Sequence, residues 1–158
     1  MLHRAVDAKQ RDGVRLIVEL GVDINGMVPG TGFDRSVLHN AAGWGGLEMV
    51  KFLLELGADN TLRDLTFHST PIGWAFHNKQ HDVVDYLMAS APIIDAVRCD
   101  GVERVAALLE QDPSLACTKD EEGRPLSWYL HPGLTRLDEM RRVLVAYGVP
   151  GAELPAGG

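Results

Sequence analysis

The chain has 158 residues, 46% hydrophobic and 23% charged, with a formal net charge of −7. That length holds one domain with a real interior and excludes two large ones. The acidic balance argues against non-specific binding to nucleic acid or anionic membrane, both of which reward a basic surface, and no apolar run approaches the roughly 18 residues that span a bilayer.

In chain order, residues 2–25 read LHRAVDAKQRDGVRLIVELGVDIN, a short and then a longer helical stretch ending at Gly21. Met1 falls inside the first helix with no polar unit before it, so Val14, Ile17 and Leu2 are expected to be partly bared at that end. Such a face self-associates, covers itself or belongs to a fragment of a longer chain, and the residues leave these open. The connection Gly26-Met27-Val28-Pro29-Gly30-Thr31-Gly32-Phe33 holds a lone G-x-G. A phosphate-cradling loop needs a strand before it and a helix directly after, so a mobile finger is the better reading.

Residues 36–59, SVLHNAAGWGGLEMVKFLLELGAD, repeat the plan. Small Ala41 and Ala42 let a neighbouring helix approach. After the Gly45-Gly46 turn, Met49, Val50, Phe52, Leu53 and Leu54 recur at helical spacing, and Gly57 stands where a left-handed cap needs no Cβ. Segment 70–88, TPIGWAFHNKQHDVVDYLM, follows with a turn at Lys79-Gln80, and segment 93–116, IIDAVRCDGVERVAALLEQDPSLA, with one at Asp100-Gly101. Between these two, Ser90-Ala91-Pro92 leaves room for a tight helix-to-helix link, with Pro92 suited to open the next helix.

The run Asp120-Glu121-Glu122 reads as a solvated turn. In segment 125–148, PLSWYLHPGLTRLDEMRRVLVAYG, His131-Pro132-Gly133 is inserted between the helices, and Gly148 is a cap. Residues 150–158 are expected to form a flexible tail. One small or apolar position recurs at Ala5, Ala41, Ala75, Ala96 and Tyr129, at spacings of 36, 34, 21 and 33 residues. A single hairpin cannot bury both faces, whereas a stack of them builds a continuous core.

These segments resemble the ankyrin repeat. The second unit carries Val37-Leu38-His39, Ala41-Ala42, Gly45, Glu48 through Leu54 and Gly57-Ala58-Asp59. The third keeps Thr70-Pro71-Ile72, Ala75 and Asp82-Val83-Val84, and the first keeps Leu2-His3 and Gly21 through Asn25. The fourth and fifth are looser, with Asp112-Pro113-Ser114-Leu115 and Tyr147-Gly148-Val149 in place of the G-A-D ending. The resemblance implies an all-α ankyrin-repeat solenoid of helix-turn-helix hairpins with short β-turn fingers. It places one domain over 1–149, in units of about 1–26, 33–63, 67–91, 92–117 and 120–149. The short spacing before Ala96 implies that the fourth unit lacks its finger; the alternative is a separate subdomain formed by residues 92–116 with the fifth unit.

In this family partners usually lie on the concave surface of fingers and first helices. Carried over residue by residue, the exposed first-helix candidates are Arg4, Asn40, Gly43, Trp44, Trp74, His77, Asn78 and Trp128. The finger candidates are Val28, Phe33, Asp34, Arg35, Phe67 and His68. Tryptophan and arginine are frequent interface anchors, yet a tryptophan at helical spacing is as readily core, and Phe67 is preferred as a cap beneath its finger. His39 matches the family's turn histidine and is expected to make local hydrogen bonds. His77 and His81 have a metal-compatible spacing but no third ligand at a matching interval, so a structural or surface pair is preferred.

No catalytic motif is present, and no cofactor or metal is expected. Cys99 and Cys117 form neither a disulfide framework nor a C-x-x-C pair and read as free thiols in a reducing, cytoplasmic setting. The N-terminus, MLHRAVDAKQ, carries charges where a signal peptide needs an apolar core. The expected function is a non-catalytic module binding a protein or peptide, with neither nucleic acid nor membrane as partner, and as a monomer ahead of a homo-oligomer. The alternative is a structural or regulatory scaffold segment of a longer protein that docks or self-associates through its end repeats.

Overall fold

Helices account for the regular structure of the described residues, which are 1–27, 35–44 and 46–153 of the computed structural model; the extended pairing among them is one isolated bridge, Lys119 with Pro125. The expected all-α class is therefore met. The chain divides into two units, Met1–Leu87 and Met88–Gly158.

In the first unit, α1 (Leu2–Asp7) leads into α2 (Arg11–Glu19), α3 (Val37–Gly43) into α4 (Leu47–Glu55), and α5 (Pro71–His77) into α6 (His81–Met88). Every residue of α3 is buried, because it packs against α1, α4 and α5. Such contact demands small side chains: a Cβ on Gly43 would lie 3.3 Å from the Trp74 ring and 3.4 Å from the Asn78 amide nitrogen. In α4 the apolar side Met49, Val50, Phe52 and Leu53 is buried while Glu48 and Glu55 face solvent. Leu38 and Leu53 are fully buried, each contributing about 1.5–3 kcal/mol by transfer from water.

The recurring alanine has a structural counterpart in the backbone. The carbonyls of Ala5, Ala41, Ala75 and Ala96 accept from the N–H groups of Gln10, Gly46, Gln80 and Gly101 at 2.9, 3.0, 2.9 and 2.8 Å. This is the six-to-one bond of a Schellman cap, which needs a left-handed residue just before its donor. Lys9, Lys79 and Asp100 occupy that place at φ 55°, 58° and 63°. At the ends of second helices the same cap uses glycine: Gly21, Gly57 and Gly148 have φ 87°, 92° and 70°.

Neighbouring repeats of the first unit are tied side chain to backbone. The ring Nε2 of His3 donates to the Arg35 carbonyl at 3.1 Å and that of His39 to the Ser69 carbonyl at 3.0 Å. Because a carbonyl can only accept, His39 Nδ1 must be the acceptor for Ser36 Oγ at 2.8 Å. This is the local role expected of the turn histidine. The Asn25 amide completes the set, donating to the Gly57 carbonyl at 3.4 Å and accepting from Asp59 N at 2.8 Å.

The bared N-terminal face is a different one from that expected. Leu2 and Val14 are buried and Ile17 is half-buried, whereas Leu16 and Leu20 are 56% and 75% exposed. The sequence period identified an apolar set on α2, but its buried side is centred on Val14, and Leu16 and Leu20 share another side at i, i+4.

In the second unit α7 (Ile93–Arg98) and α8 (Val102–Gln111) form a hairpin, followed by a 3₁₀ turn (Pro113–Cys117), a second (Leu126–Tyr129) and α9 (Leu137–Ala146). Asp112 opens the first 3₁₀ turn by accepting from Ser114 N at 3.0 Å and Ser114 Oγ at 2.6 Å. The Asp100 carboxylate accepts from Thr135 N and Arg136 N at 3.0 and 3.1 Å, joining the α7–α8 turn to the segment before α9. α6 ends at Met88 and α7 begins at Ile93, with Pro92 as the N-cap residue, so the link has no room for a finger. Packing continues past the expected start of the tail: Ala152 is buried and its carbonyl accepts from Arg141 at 3.2 Å, while Pro150's accepts from Ser127 Oγ at 2.6 Å.

Candidate functional site

The finger before α5 is built around one carboxylate. Asp64 Oδ1 accepts from the backbone N–H of Thr66 (3.0 Å) and Phe67 (2.6 Å), and Oδ2 from Ser69 N and the Trp74 indole Nε1, both at 3.0 Å. Burial opposes its ionisation, but the bonds from Phe67, Trp74, Ser69 and Thr66 outweigh that and hold its pKa below the ordinary 3.8. The Arg35 guanidinium lies 4.8 Å from the Trp74 ring centroid, and its Nε donates to Asn40 Oδ1. Burial lowers the Arg35 pKa, with Asp7 and Asp64 opposing it.

This cluster corrects part of the expected binding face. Asn40 is 6% exposed and Gly43 is buried, because α3 is covered on both flanks. Trp74 is half-buried, its indole N–H held by Asp64 and its ring edge-on to Phe67 and His39 at 6.0 and 6.5 Å. Phe67, preferred as a core cap, is 58% exposed. Arg4, His77 and Asn78 are exposed, with the Asn78 amide donating to the Trp74 carbonyl at 2.9 Å. Phe33, like Val28 and Asp34, lies outside the described residues.

Trp44 is the other case. At the C-cap of α3 its side chain is 77% exposed and borders a cleft of about 390 Å³. Buried Val6, Ala41 and Met49 give that cleft an apolar floor, and the exposed side chains of Asp7 and Lys9 line its rim. The volume lies within the roughly 300–1,000 Å³ range of small-ligand pockets. Sequence reasoning found Trp44 but missed Asp7 and Lys9; the repeated turn after the aligned alanine was the signal that placed them nearby.

In the second unit Trp128 is 63% exposed, with the Arg124 guanidinium 5.8 Å from its ring centroid. Asp120 plays there the part of Asp64: it accepts from Glu122 N (3.0 Å), Arg124 N (2.8 Å), Arg124 Nε (2.5 Å) and the Tyr129 hydroxyl (2.5 Å). Desolvation works against the charge, but the bonds from Tyr129 and Arg124 prevail and its pKa falls well below the carboxylate range. The acidic run is a turn, with Asp120 its internal anchor and Glu121 and Glu122 the solvated members.

Among the described residues no group of three or more His, Cys, Asp or Glu side chains could hold a metal ion, and no helix is long and apolar enough to cross a membrane. His77 and His81 are both exposed. Burial pushes the Cys99 thiol up to about 12, beyond nucleophilic use.

A family model described as ankyrin repeats (3 copies) matches residues 2–100. Rabankyrin-5 of Mus musculus is 36% identical over 104 residues, which are 60% of this chain and 9% of that protein. Rabankyrin-5 of Homo sapiens is 34% identical over 103 residues, with the same 60% and 9% coverage. The chain thus spans 9% of the length of the curated relatives it matches. A chain in the solved structure of a Bdellovibrio bacteriovorus predatory endopeptidase in complex with an immunity protein aligns with a TM-score of 0.57 at 21% identity, covering 94% of this chain and 81% of that one. At that identity the likeness shows the fold alone.

Proposed function

The chain belongs to the ankyrin-repeat family, whose members are generally protein-interaction modules, and from that premise we propose that it binds a protein or peptide without catalysing a reaction. The proposed surface is the family's concave face as the first unit supplies it: α1, α3, α5 and the finger before α5. Trp44 carries this reading. A side chain 77% exposed at the end of an otherwise buried helix has no packing role that explains its size, and tryptophan is among the strongest interface anchors. Arg4, His77 and Asn78 are proposed as polar contacts around it, and Arg35, Asn40 and Trp74 as the residues that fix the face's shape. Phe33 is proposed as a further contact, and Trp128 as a contact offered by the second unit taken by itself. The chain is proposed to act as a monomer in the cytoplasm, and its partner to be neither nucleic acid nor membrane.

The test is capture of a partner from the native host by wild type and by Trp44→Ala. A hot-spot tryptophan is worth about 2 kcal/mol or more, roughly thirtyfold in affinity. Loss of capture with unchanged helical circular dichroism supports the reading; undiminished capture sinks it.

A second reading rests on Leu16 and Leu20, exposed on α2. It makes the chain a scaffold segment that docks or self-associates through this end. A concentration-dependent dimer in light scattering is its mark.

A further inference from the structure

We propose that the cleft beside Trp44 receives an arginine side chain of a basic peptide segment, the guanidinium lying on the indole and pairing with Asp7. The proposal rests on the reading of Trp44 as a partner contact and names the chemistry of that partner.

The first support is how this chain treats its other tryptophans. Trp74 has the Arg35 guanidinium 4.8 Å from its ring centroid, and Trp128 has that of Arg124 at 5.8 Å. Cations also sit over Phe52 (Arg11 and Arg15, at 5.6 and 5.5 Å) and over Tyr86 (Lys51, at 5.5 Å). Trp44 is the tryptophan whose ring has no cation among the described residues, and it is the most exposed of the three. An open indole face attracts a guanidinium through its quadrupole and by planar stacking.

The second support is the rest of the cleft. The side chains of Asp7 and Lys9 are exposed and both line it, and the longer-range attraction between Asp7 and Arg35 leaves the Asp7 carboxylate open to solvent. Asp7 supplies the counter-charge for a bound cation. Val6, Ala41 and Met49 offer an apolar floor on which the methylene stem of an arginine can lie. Lys9 opposes a cation, and this gives the proposal a sign that can be checked. A carboxylate-bearing ligand would invert the parts, using Lys9 and being repelled by Asp7. The net charge of −7 favours the basic ligand.

The experiment follows the three indole N–H resonances of the ¹⁵N-labelled full chain, with Trp44 assigned from Trp44→Phe. The probes are N-acetyl-Gly-Arg-Gly-amide and its citrulline and glutamate counterparts. The arginine peptide is expected to shift the Trp44 resonance saturably, and the other two to leave it close to its free position. Asp7→Asn should weaken the arginine peptide about two- to fivefold, the worth of one exposed charge contact. Lys9→Asn, which keeps a residue tolerant of the left-handed turn, should tighten it. A motionless Trp44 resonance, an equal response to citrulline, or a stronger one to glutamate overturns the proposal. Capture of a protein partner is read separately. A silent titration with capture intact removes the arginine and leaves the face, whereas a positive titration without capture removes the face and leaves the cleft.

Discussion

The indole nitrogen of Trp74 donates to Asp64 at 3.0 Å, and the hydroxyl of Tyr129 donates to Asp120 at 2.5 Å. Each unit thus fixes a turn by the same device, in which an aspartate gathers the turn's own N–H groups and accepts one more bond from an aromatic side chain on the helix that follows. The aromatic residue at such a place is first of all part of the scaffold. Trp74 is therefore a weaker candidate for the proposed partner contact than Trp44, whose indole makes no such bond among the described residues.

Asp64→Asn should destabilise the first unit by about 1–3 kcal/mol, because each carboxylate oxygen accepts two N–H groups and an amide cannot accept on both sides, so two of the four are left facing a donor. Combined with Trp74→Phe, the loss should be less than additive, with a coupling of about 0.5–3 kcal/mol. The pH dependence has a definite sign. The folded pKa of Asp64 is depressed, so its contribution is full above the unfolded value and is lost as pH falls through the folded one. Urea melts of the two single variants and the double variant read all of this, and strict additivity would dissolve the pairing.

His39 gives a second pH effect, at higher pH. Burial lowers its pKa below 6.5, against the hydrogen bond from its ring to Ser69 and the attraction of Asp64. The unfolded chain therefore takes up the proton first. Stability should be full above 6.5 and fall as pH drops toward the folded value, with a slope of at most about 1.4 kcal/mol per pH unit. In His39→Gln that limb should vanish although the variant is less stable throughout. An unchanged limb would assign the effect to another group.

Much of the fold could be read from sequence because its signals are local. The aligned alanines, the cap glycines and the tight link at Pro92 each follow from a few neighbouring residues. The face was less legible, because burial depends on what lies opposite. Asn40 occupies an ordinarily exposed slot, yet Arg35, which precedes it by five residues, folds onto it. Asp64 was overlooked because its partners are backbone N–H groups, which leave no mark in the composition. Leu16 and Val14 lie on the same apolar helix, and period alone does not say which side meets α1.

The left-handed turns separate backbone strain from side-chain use. Lys79 and Asp100 have nearly the same φ, 58° and 63°, a conformation that costs a residue with Cβ about 1–2 kcal/mol. Lys79→Gly should stabilise by up to about 1 kcal/mol, part of the relief being offset by the greater freedom of unfolded glycine. Asp100→Gly should destabilise in spite of the same relief, since it removes the acceptor for Thr135 and Arg136. Thermal melts of both variants should move in opposite directions; a common direction would show that backbone strain decides both.

The two cysteines should differ sharply toward a disulfide reagent. Cys117 is exposed, whereas Cys99 is buried and its thiol is pushed up to about 12. Since the thiolate is the nucleophile, the native chain should react rapidly at one thiol and the denatured chain at two. Cys117→Ser should abolish the rapid phase. A rapid second thiol in the native protein would mean that the α7–α8 hairpin opens on the timescale of the reaction.

Leu16 stands on α2 where Phe52 stands on α4 and Tyr86 on α6, six residues into helices that begin at Arg11, Leu47 and His81. Phe52 is 5% exposed, with the guanidinium groups of Arg11 and Arg15 over its ring, and Tyr86 is 43% exposed beneath Lys51. Leu16 and Leu20, by contrast, are 56% and 75% exposed among the described residues. Little apolar area is lost from the core on changing them, so Leu16→Lys with Leu20→Lys should alter stability by no more than about 0.5–1 kcal/mol. Light scattering of the wild type should give a monomer at micromolar concentration, and the variant should scatter alike. A concentration-dependent dimer that the two lysines abolish would overturn the monomer and transfer the function to this end face. In that event Trp44→Ala should leave the dimer intact, because its side chain lies at the end of α3 and belongs to a different surface.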